Sequence, residues 1–354
     1  MLWLVACLML ACAPALAEEL DLSGTGGGAE EAAQAISAAG DVDTVNLQDV
    51  PLTWQERKSL MEQFPNVHFR WTVQVFGVNI SSDDTQADFS GARVGKTSDL
   101  CLALDVLPRL EKVYMWKCNI PREDRVMLKQ KYPDIFFGWE INMNNAHTLR
   151  TDMTSFSTLG KQPLLQKFQM PNFTLCPDLK ALDIGHCTIR DISFLRDCAP
   201  LKVLILADTG ISDITPLESQ TEVEYLELFM NKITDISPLA GMKNLKDVNL
   251  AFNDITDLSP LYDLPNLERV WLMQNKRLTQ EAIDTLREHQ PDCEIVTRSY
   301  GATGNVMIKE EGDRQIPGTS WRDHPRYDTI YYIFNGGQYI GWDEPIPENW
   351  KKVK

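Results

Sequence analysis

The chain has 354 residues, 44% of them hydrophobic and 24% charged, with 50 Asp and Glu against 34 Lys and Arg, a formal net charge of -16. So acidic a chain is a poor match for nucleic acid, whose phosphates need Lys and Arg, and no nucleic-acid partner is expected. The length leaves room for two ordinary domains or one long solenoid, and the charge says nothing more specific about a partner.

Residues 1–17, MLWLVACLMLACAPALA, are apolar and uncharged, and Ala15-Leu16-Ala17 has the small-x-small form of a cleavage site. This reads as a secretory signal peptide, with the mature chain starting at Glu18 and a secreted or cell-surface location. No Lys or Arg precedes the apolar run, a departure from the usual signal. The run Met9-Leu10-Ala11-Cys12 offers an alternative, a lipid anchor at Cys12. No later apolar run is long enough to span a bilayer.

Residues 18–178 form the next region and contain a duplicated unit of about 68 residues. ELDLSGT from Glu19 matches QADFSGA from Gln86, VDTVNLQDVPL from Val42 matches LEKVYMWKCNI from Leu110, and FPNVHFRWTV from Phe64 matches YPDIFFGWEI from Tyr132. Each copy predicts three short strands and two helices, AEEAAQAISAAG and TWQERKSLMEQF in the first, SDLCLALDVL and REDRVMLKQKY in the second. A third start, Ser155-Phe156-Ser157, leads into the next region. The expectation is an irregular solenoid with helices on its convex side, continuous with the repeats that follow.

Residues 179–298 hold four consecutive segments of 22 residues that begin at Leu179, Leu201, Val223 and Leu245, with a fifth opening at Leu267. Self-similarity at such a period marks a solenoid. Each segment starts L-x-x-L-x-L or a close variant, so residues two apart point to one side of a strand. These are Leu182 and Ile184, Leu204 and Leu206, Leu226 and Leu228, Val248 and Leu250, Val270 and Leu272. Three residues on stand Cys187, Thr209, Asn231, Asn253 and Asn275, where a buried Asn can bond turn groups that have no ladder partner. Asp191, Asp213, Asp235 and Asp257 precede an apolar residue and are read as caps of short 3₁₀ turns rather than as a calcium ladder.

This pattern resembles the leucine-rich repeat family, and within it the 22-residue internalin-like class of secreted bacterial proteins. The resemblance implies an α/β solenoid, a right-handed superhelix with a parallel sheet on its concave face. It also implies a surface location and protein, peptide or glycan binding. The fifth repeat continues as a helix, Pro-Asp and a last strand, LERVWLMQNKRLTQEAIDTLREHQPDCEIV, which would cap the open end of the stack. Residues 299–354 begin as a Gly-rich polar connection and end in an aromatic-rich segment with Trp321, Tyr327, Tyr331, Tyr332, Phe334, Tyr339, Trp342 and Trp350. That segment is too apolar to stay solvated and is expected to dock back on the solenoid or to form a small C-terminal cap.

On the strands, residues between the buried ones face the concave side. The candidate ligand contacts are Tyr114, Trp116, Ile205, Tyr225, Glu227, Phe229, Asn249, Trp271 and Met273, with Met230 and Phe252 following at the strand exits. A face so rich in Tyr, Trp and Phe is either an interaction site or the seat of the chain's own tail. Cys176 and Cys198, one repeat apart, are a candidate disulfide. No cofactor and no metal site is expected, since no Cys/His cluster has zinc spacing and no nucleophile or phosphate-loop motif occurs. The reading is an exported, monomeric, non-catalytic binding module. The alternatives are a structural envelope-associated protein whose concave face is filled by its own tail, and an enzyme with a site near His324.

Overall fold

The computed structural model describes residues 19–297, 308–309, 315–316 and 324–350. The leader with Cys12, and the stretch with Trp321, Arg322 and Asp323, lie outside the described residues. No helix among them is long and apolar enough to cross a membrane. The chain divides into two compact units, Met1–Gly138 and Trp139–Lys354.

In the first unit, the first copy of the duplication runs β1 (Glu19–Asp21), α1 (Ala29–Ala39), β2 (Thr44–Asn46), α2 (Trp54–Gln63) and β3 (His68–Arg70). The three strands are parallel in the order β1-β2-β3, and each helix carries the chain back to start the next strand. Thr53 closes α2 with a capping box, its hydroxyl accepting from Glu56 N at 3.2 Å while Glu56 Oε2 accepts from Thr53 N at 2.7 Å. The second copy repeats the plan with β6 (Gln86–Asp88), α3 (Thr97–Leu104), β7 (Lys112–Met115), α4 (Arg122–Lys131) and the start of β8 (Phe136–Asn144).

Between the copies stands an antiparallel hairpin, β4 (Thr72–Val75) and β5 (Val78–Ser81), which the sequence reading lacks. The parallel sheet therefore stops at β3 and a new one begins at β6, instead of running through as one stack. The cause is a two-residue turn in which Phe76 and Gly77 take φ of 50° and 82°, the left-handed pair that closes a tight hairpin. Trp71 fixes its base. Its backbone N–H donates to Ser82 Oγ at 3.1 Å, its carbonyl accepts from Ser82 N at 2.9 Å, and its indole donates to Val106 O at 3.0 Å. The second unit opens with the same device. β8 pairs with β9 (His147–Arg150), and Trp139 exchanges bonds with Thr151 at 2.8 and 3.0 Å.

The second unit is then dominated by a seven-stranded parallel sheet: β10 (Ser155–Ser157), β11 (Ala181–Asp183), β12 (Val203–Ile205), β13 (Tyr225–Glu227), β14 (Asp247–Asn249), β15 (Arg269–Trp271) and β16 (Glu294–Val296), in sequence order. Leu182, Leu204, Leu226, Val248 and Val270 stack at its centre with no exposed surface. Strands are three residues long because the chain must leave the sheet, cross and return within 22 residues. The return is a 3₁₀ turn, as at Ser193–Asp197 and Thr215–Ser219. Asp191, Asp213, Asp235 and Asp257 each accept from the first N–H of that turn at 2.8–2.9 Å, the capping role read from the sequence. Helix α5 (Gln280–His289) and β16 close the end of the stack.

The buried Asn side chains join neighbouring turns. Asn253 Oδ1 accepts from Ile233 N at 3.0 Å, and its amide donates to Leu228 O and Leu250 O at 3.0 and 3.1 Å. Asn231 and Asn275 bond in the same way one turn before and one turn after. Asn253→Ala strands several of these groups away from water, so the expected cost is about 2–4 kcal/mol. Urea unfolding would show a lower midpoint at unchanged slope.

Candidate functional site

The face of the seven-stranded sheet opposite the leucine core is a lattice of columns, one residue per strand in each. The first column is Ser155, Ala181, Val203, Tyr225, Asp247 and Arg269. Helix α6 (Tyr327–Gly336) and the segment after it lie on this column. Ile330, Tyr332, Ile333 and Ile340 are buried together with Ala181, Val203 and Tyr225. Ser155 Oγ donates to Ile333 O at 2.8 Å, and Tyr339 N donates to Thr154 Oγ1 at 2.9 Å.

The docking is locked by a charged cluster. His324 Nδ1 accepts from the Arg326 backbone N–H at 2.9 Å, so Nε2 carries the proton and donates to Asp247 Oδ1 at 2.8 Å. The Arg326 guanidinium donates to Asp247 Oδ2 and to Glu268 Oε2, the latter at 2.7 Å. The His324 ring, 3% exposed, sits 5.5 Å from Tyr225 and 5.2 Å from Trp271. Removing the shared carboxylate leaves the buried His324 Nε2–H without its acceptor while Arg326 keeps Glu268, which costs about 1–3 kcal/mol. Asp247→Ala should speed amide exchange across 327–336 while β12 and β14 keep their protected amides.

The next column is Ser157, Asp183, Ile205, Glu227, Asn249 and Trp271. Asp183 is buried, accepting from Ser157 Oγ at 2.6 Å and Gly185 N at 3.0 Å, and burial pushes its carboxyl up. Burial also pushes Glu227 up to about 8 from its ordinary 4.5, against the opposing bonds from Asn249, Phe229 N and Tyr225. The folded chain thus holds a proton that the unfolded chain releases above pH 4.5. This contribution to stability is complete below that pH and is lost as pH rises through about 8. Glu227→Gln abolishes it, so the variant should gain in urea midpoint over the parent at pH 8.5 and match it near pH 4, on the order of a few kcal/mol at most.

Beyond lie Ala207, Phe229, Ala251 and Met273, and then the strand exits His186, Asp208, Met230, Phe252 and Gln274. All five exit residues take left-handed φ, between 52° and 62°. His186, Asp208, Met230 and Phe252 are each held there by a backbone bond to the next strand, such as Met230 N to Ala251 O at 3.0 Å and Phe252 N to Met273 O at 2.8 Å. This band is open. Met230 is 46% and Phe252 42% exposed, and the Phe252 ring meets Phe229 edge-on at 5.1 Å. Phe229 in turn rests on Ala251, Trp271, Met273 and Val296.

The residues expected on a ligand face are thus divided. Tyr225, Glu227, Asn249, Trp271 and Met273 are buried, and Ile205 packs against the docked tail, which corrects their expected place on open surface. For Tyr225 and Ile205 the physical reason is the C-terminal segment, whose apolar side chains pack on the same column, whereas Trp271 and Met273 are buried with Ala251 and Val296. Phe229 remains at the edge of the open band, and Tyr114 and Trp116 are half-buried in the first unit. Met230 and Phe252 are exposed here, and the signal for them was an apolar side chain in the turn column after a strand. His324 is enclosed by the tail's anchor, with both ring nitrogens engaged. Cys176 is buried, its Sγ 3.8 Å from Arg150 O, and Cys198 is half-buried.

Residues 221–257 and 243–288 match the family described as Leucine Rich repeats (2 copies). No curated protein matches the chain. Among solved structures, the internalin inlF of Listeria monocytogenes is 19% identical, aligned over 75% of this chain and 63% of its own, with a TM-score of 0.36. The internalin C2 (inlC2) of the same organism is 21% identical over 63% of this chain and 86% of its own, with a TM-score of 0.35. A leucine-rich repeat protein of Leptospira interrogans is 15% identical over 72% of each chain, with a TM-score of 0.27. The chain therefore spans 63% of the length of inlF.

Proposed function

Because the chain is a leucine-rich repeat protein, we propose that it is a non-catalytic protein-binding module that makes contact through the open strand-exit band of its second unit. The observation that carries this reading is the apolar cluster of exposed Met230 and Phe252 with half-buried Phe229, on a sheet face whose strand starts are covered by the C-terminal segment. Contiguous apolar surface of this kind marks interaction sites. The backbone bonds that hold Met230 and Phe252 in place mean that little ordering is needed on contact, which favours affinity. The apolar leader of residues 1–17 supports export, and the partner is then an extracytoplasmic protein.

A second reading, a structural protein whose sheet face serves its own tail, is favoured by the seating of α6 on Ala181, Val203 and Tyr225. The two readings divide the face between them. The tail takes the strand starts and the partner takes the strand exits.

The experiment is the double variant Met230→Glu, Phe252→Glu. Both side chains are exposed, so its unfolding midpoint should stay within about 0.5 kcal/mol of the parent. Crosslinking of the mature chain to extracytoplasmic proteins should give an adduct that the variant loses at least tenfold. An adduct formed equally by both chains would place the contact elsewhere.

A further inference from the structure

The first unit contains its own control for which side chains the fold requires. Its two copies build the same parallel three-strand arrangement, and their first strands carry the same local device. Asp21 Oδ1 accepts from Ser23 N at 2.9 Å, and Asp88 Oδ1 accepts from Ser90 N at 2.8 Å. Across the outward face, however, the copies differ in kind. The first copy presents Thr44, Asn46 and Gln48 on β2 and its exit, with His68 and Arg70 on β3. The second copy puts Lys112, Tyr114 and Trp116 at the matching places, with Phe136 and Gly138 on β8. Polar residues satisfy the scaffold in one copy, so the aromatic rings of the other are not demanded by folding.

The rings lie down on the strand beside them. A Cβ added at Gly138 would stand 2.7 Å from Trp116 Cζ2 and 2.8 Å from Tyr114 Cδ1, so only glycine leaves room for both. Tyr114 and Trp116 are 5.9 Å apart and inclined by 30°, and Phe136 meets Tyr114 edge-on at 6.2 Å. Both Tyr114 and Trp116 are half-buried, with one side against the β8 backbone. Next to this slab runs a hydrogen-bonding row on β6 and its exit, the exposed Gln86, Asp88 and Ser90, with Asp88 directly opposite Tyr114. Lys112, opposite Gln86, offsets the Asp88 charge.

We infer that this slab and row form a stacking subsite for a neutral saccharide. A pyranose ring offers C–H groups on its faces and hydroxyls on its rim. The electron-rich faces of Tyr114 and Trp116 suit the first, and an amide, a carboxylate and a hydroxyl in line suit the second. The near-cancelling charges favour an uncharged ligand over an ionic one. The subsite is separate from the strand-exit band and does not depend on it.

The test uses the full mature chain in pull-down with insoluble cellulose, chitin, starch and β-1,3-glucan. Retention on at least one polysaccharide is expected. It should fall at least tenfold in Trp116→Ala and in Asp88→Asn, and be unchanged in Met230→Glu, Phe252→Glu. Asp88→Asn keeps an Oδ1 acceptor for Ser90 N and removes only the charge, so that variant decides the matter even if Trp116→Ala does not fold. Absence of retention on all four matrices, or retention that survives both substitutions, overturns the inference. So does a Trp116-dependent retention on immobilised carboxymethylated albumin and on none of the polysaccharides, which would make the slab a peptide site.

Discussion

Every strand of the seven-stranded sheet must be left by a turn that points backbone groups into an apolar core, and the structure depends on satisfying them. Three-residue strands pair only a few of their own groups, and the rest of each coil is irregular. An Asn amide reaches an N–H in the preceding turn and carbonyls in two turns at once. It is thus both a partner for orphaned groups and a staple between neighbours. Where the column holds Thr209 instead, the hydroxyl donates to Leu206 O at 2.9 Å and Asn231 of the next turn completes the set. The leucine stack supplies the driving force, but the interval between coils is set by these amides.

Periodicity made the second unit legible. Two-residue spacing of Leu and Ile fixed which side chains go inward, and the Asn and Asp columns announced their bonds. The β4–β5 hairpin was not legible in the same way. Its turn places Phe76, a residue with no turn preference, in a left-handed conformation, so the usual Asn-Gly signal is missing. The candidate site was half legible. Strand alternation identifies the outward residues but says nothing about what lies on them. The docking partner of Asp247 is His324, 77 positions away, and no local pattern joins the two.

The covered columns and the open band obey different chemistry. In the buried columns, carboxylates such as Asp183 and Glu227 survive by accepting several hydrogen bonds, and Glu227 by keeping its proton to about pH 8. On the exits, side chains meet water directly and backbone bonds to the next strand hold the turn. A change at Met230 or Phe252 therefore leaves the coil interval intact. A change at Asp247 or Tyr225 touches two packed layers.

The seating of α6 on the strand starts also orders events during synthesis. Chain elongation delivers β10 to β16 before residues 324–350, and domains take shape from the N-terminal side as they emerge. Until the tail arrives, Val203, Tyr225 and Trp271 face water, together with a buried-to-be aspartate that lacks its histidine. The nascent solenoid is therefore stickier than the finished one. A chain interrupted after β16 would keep that adhesive face, so completion of the polypeptide is itself the step that makes the sheet unreactive towards its neighbours.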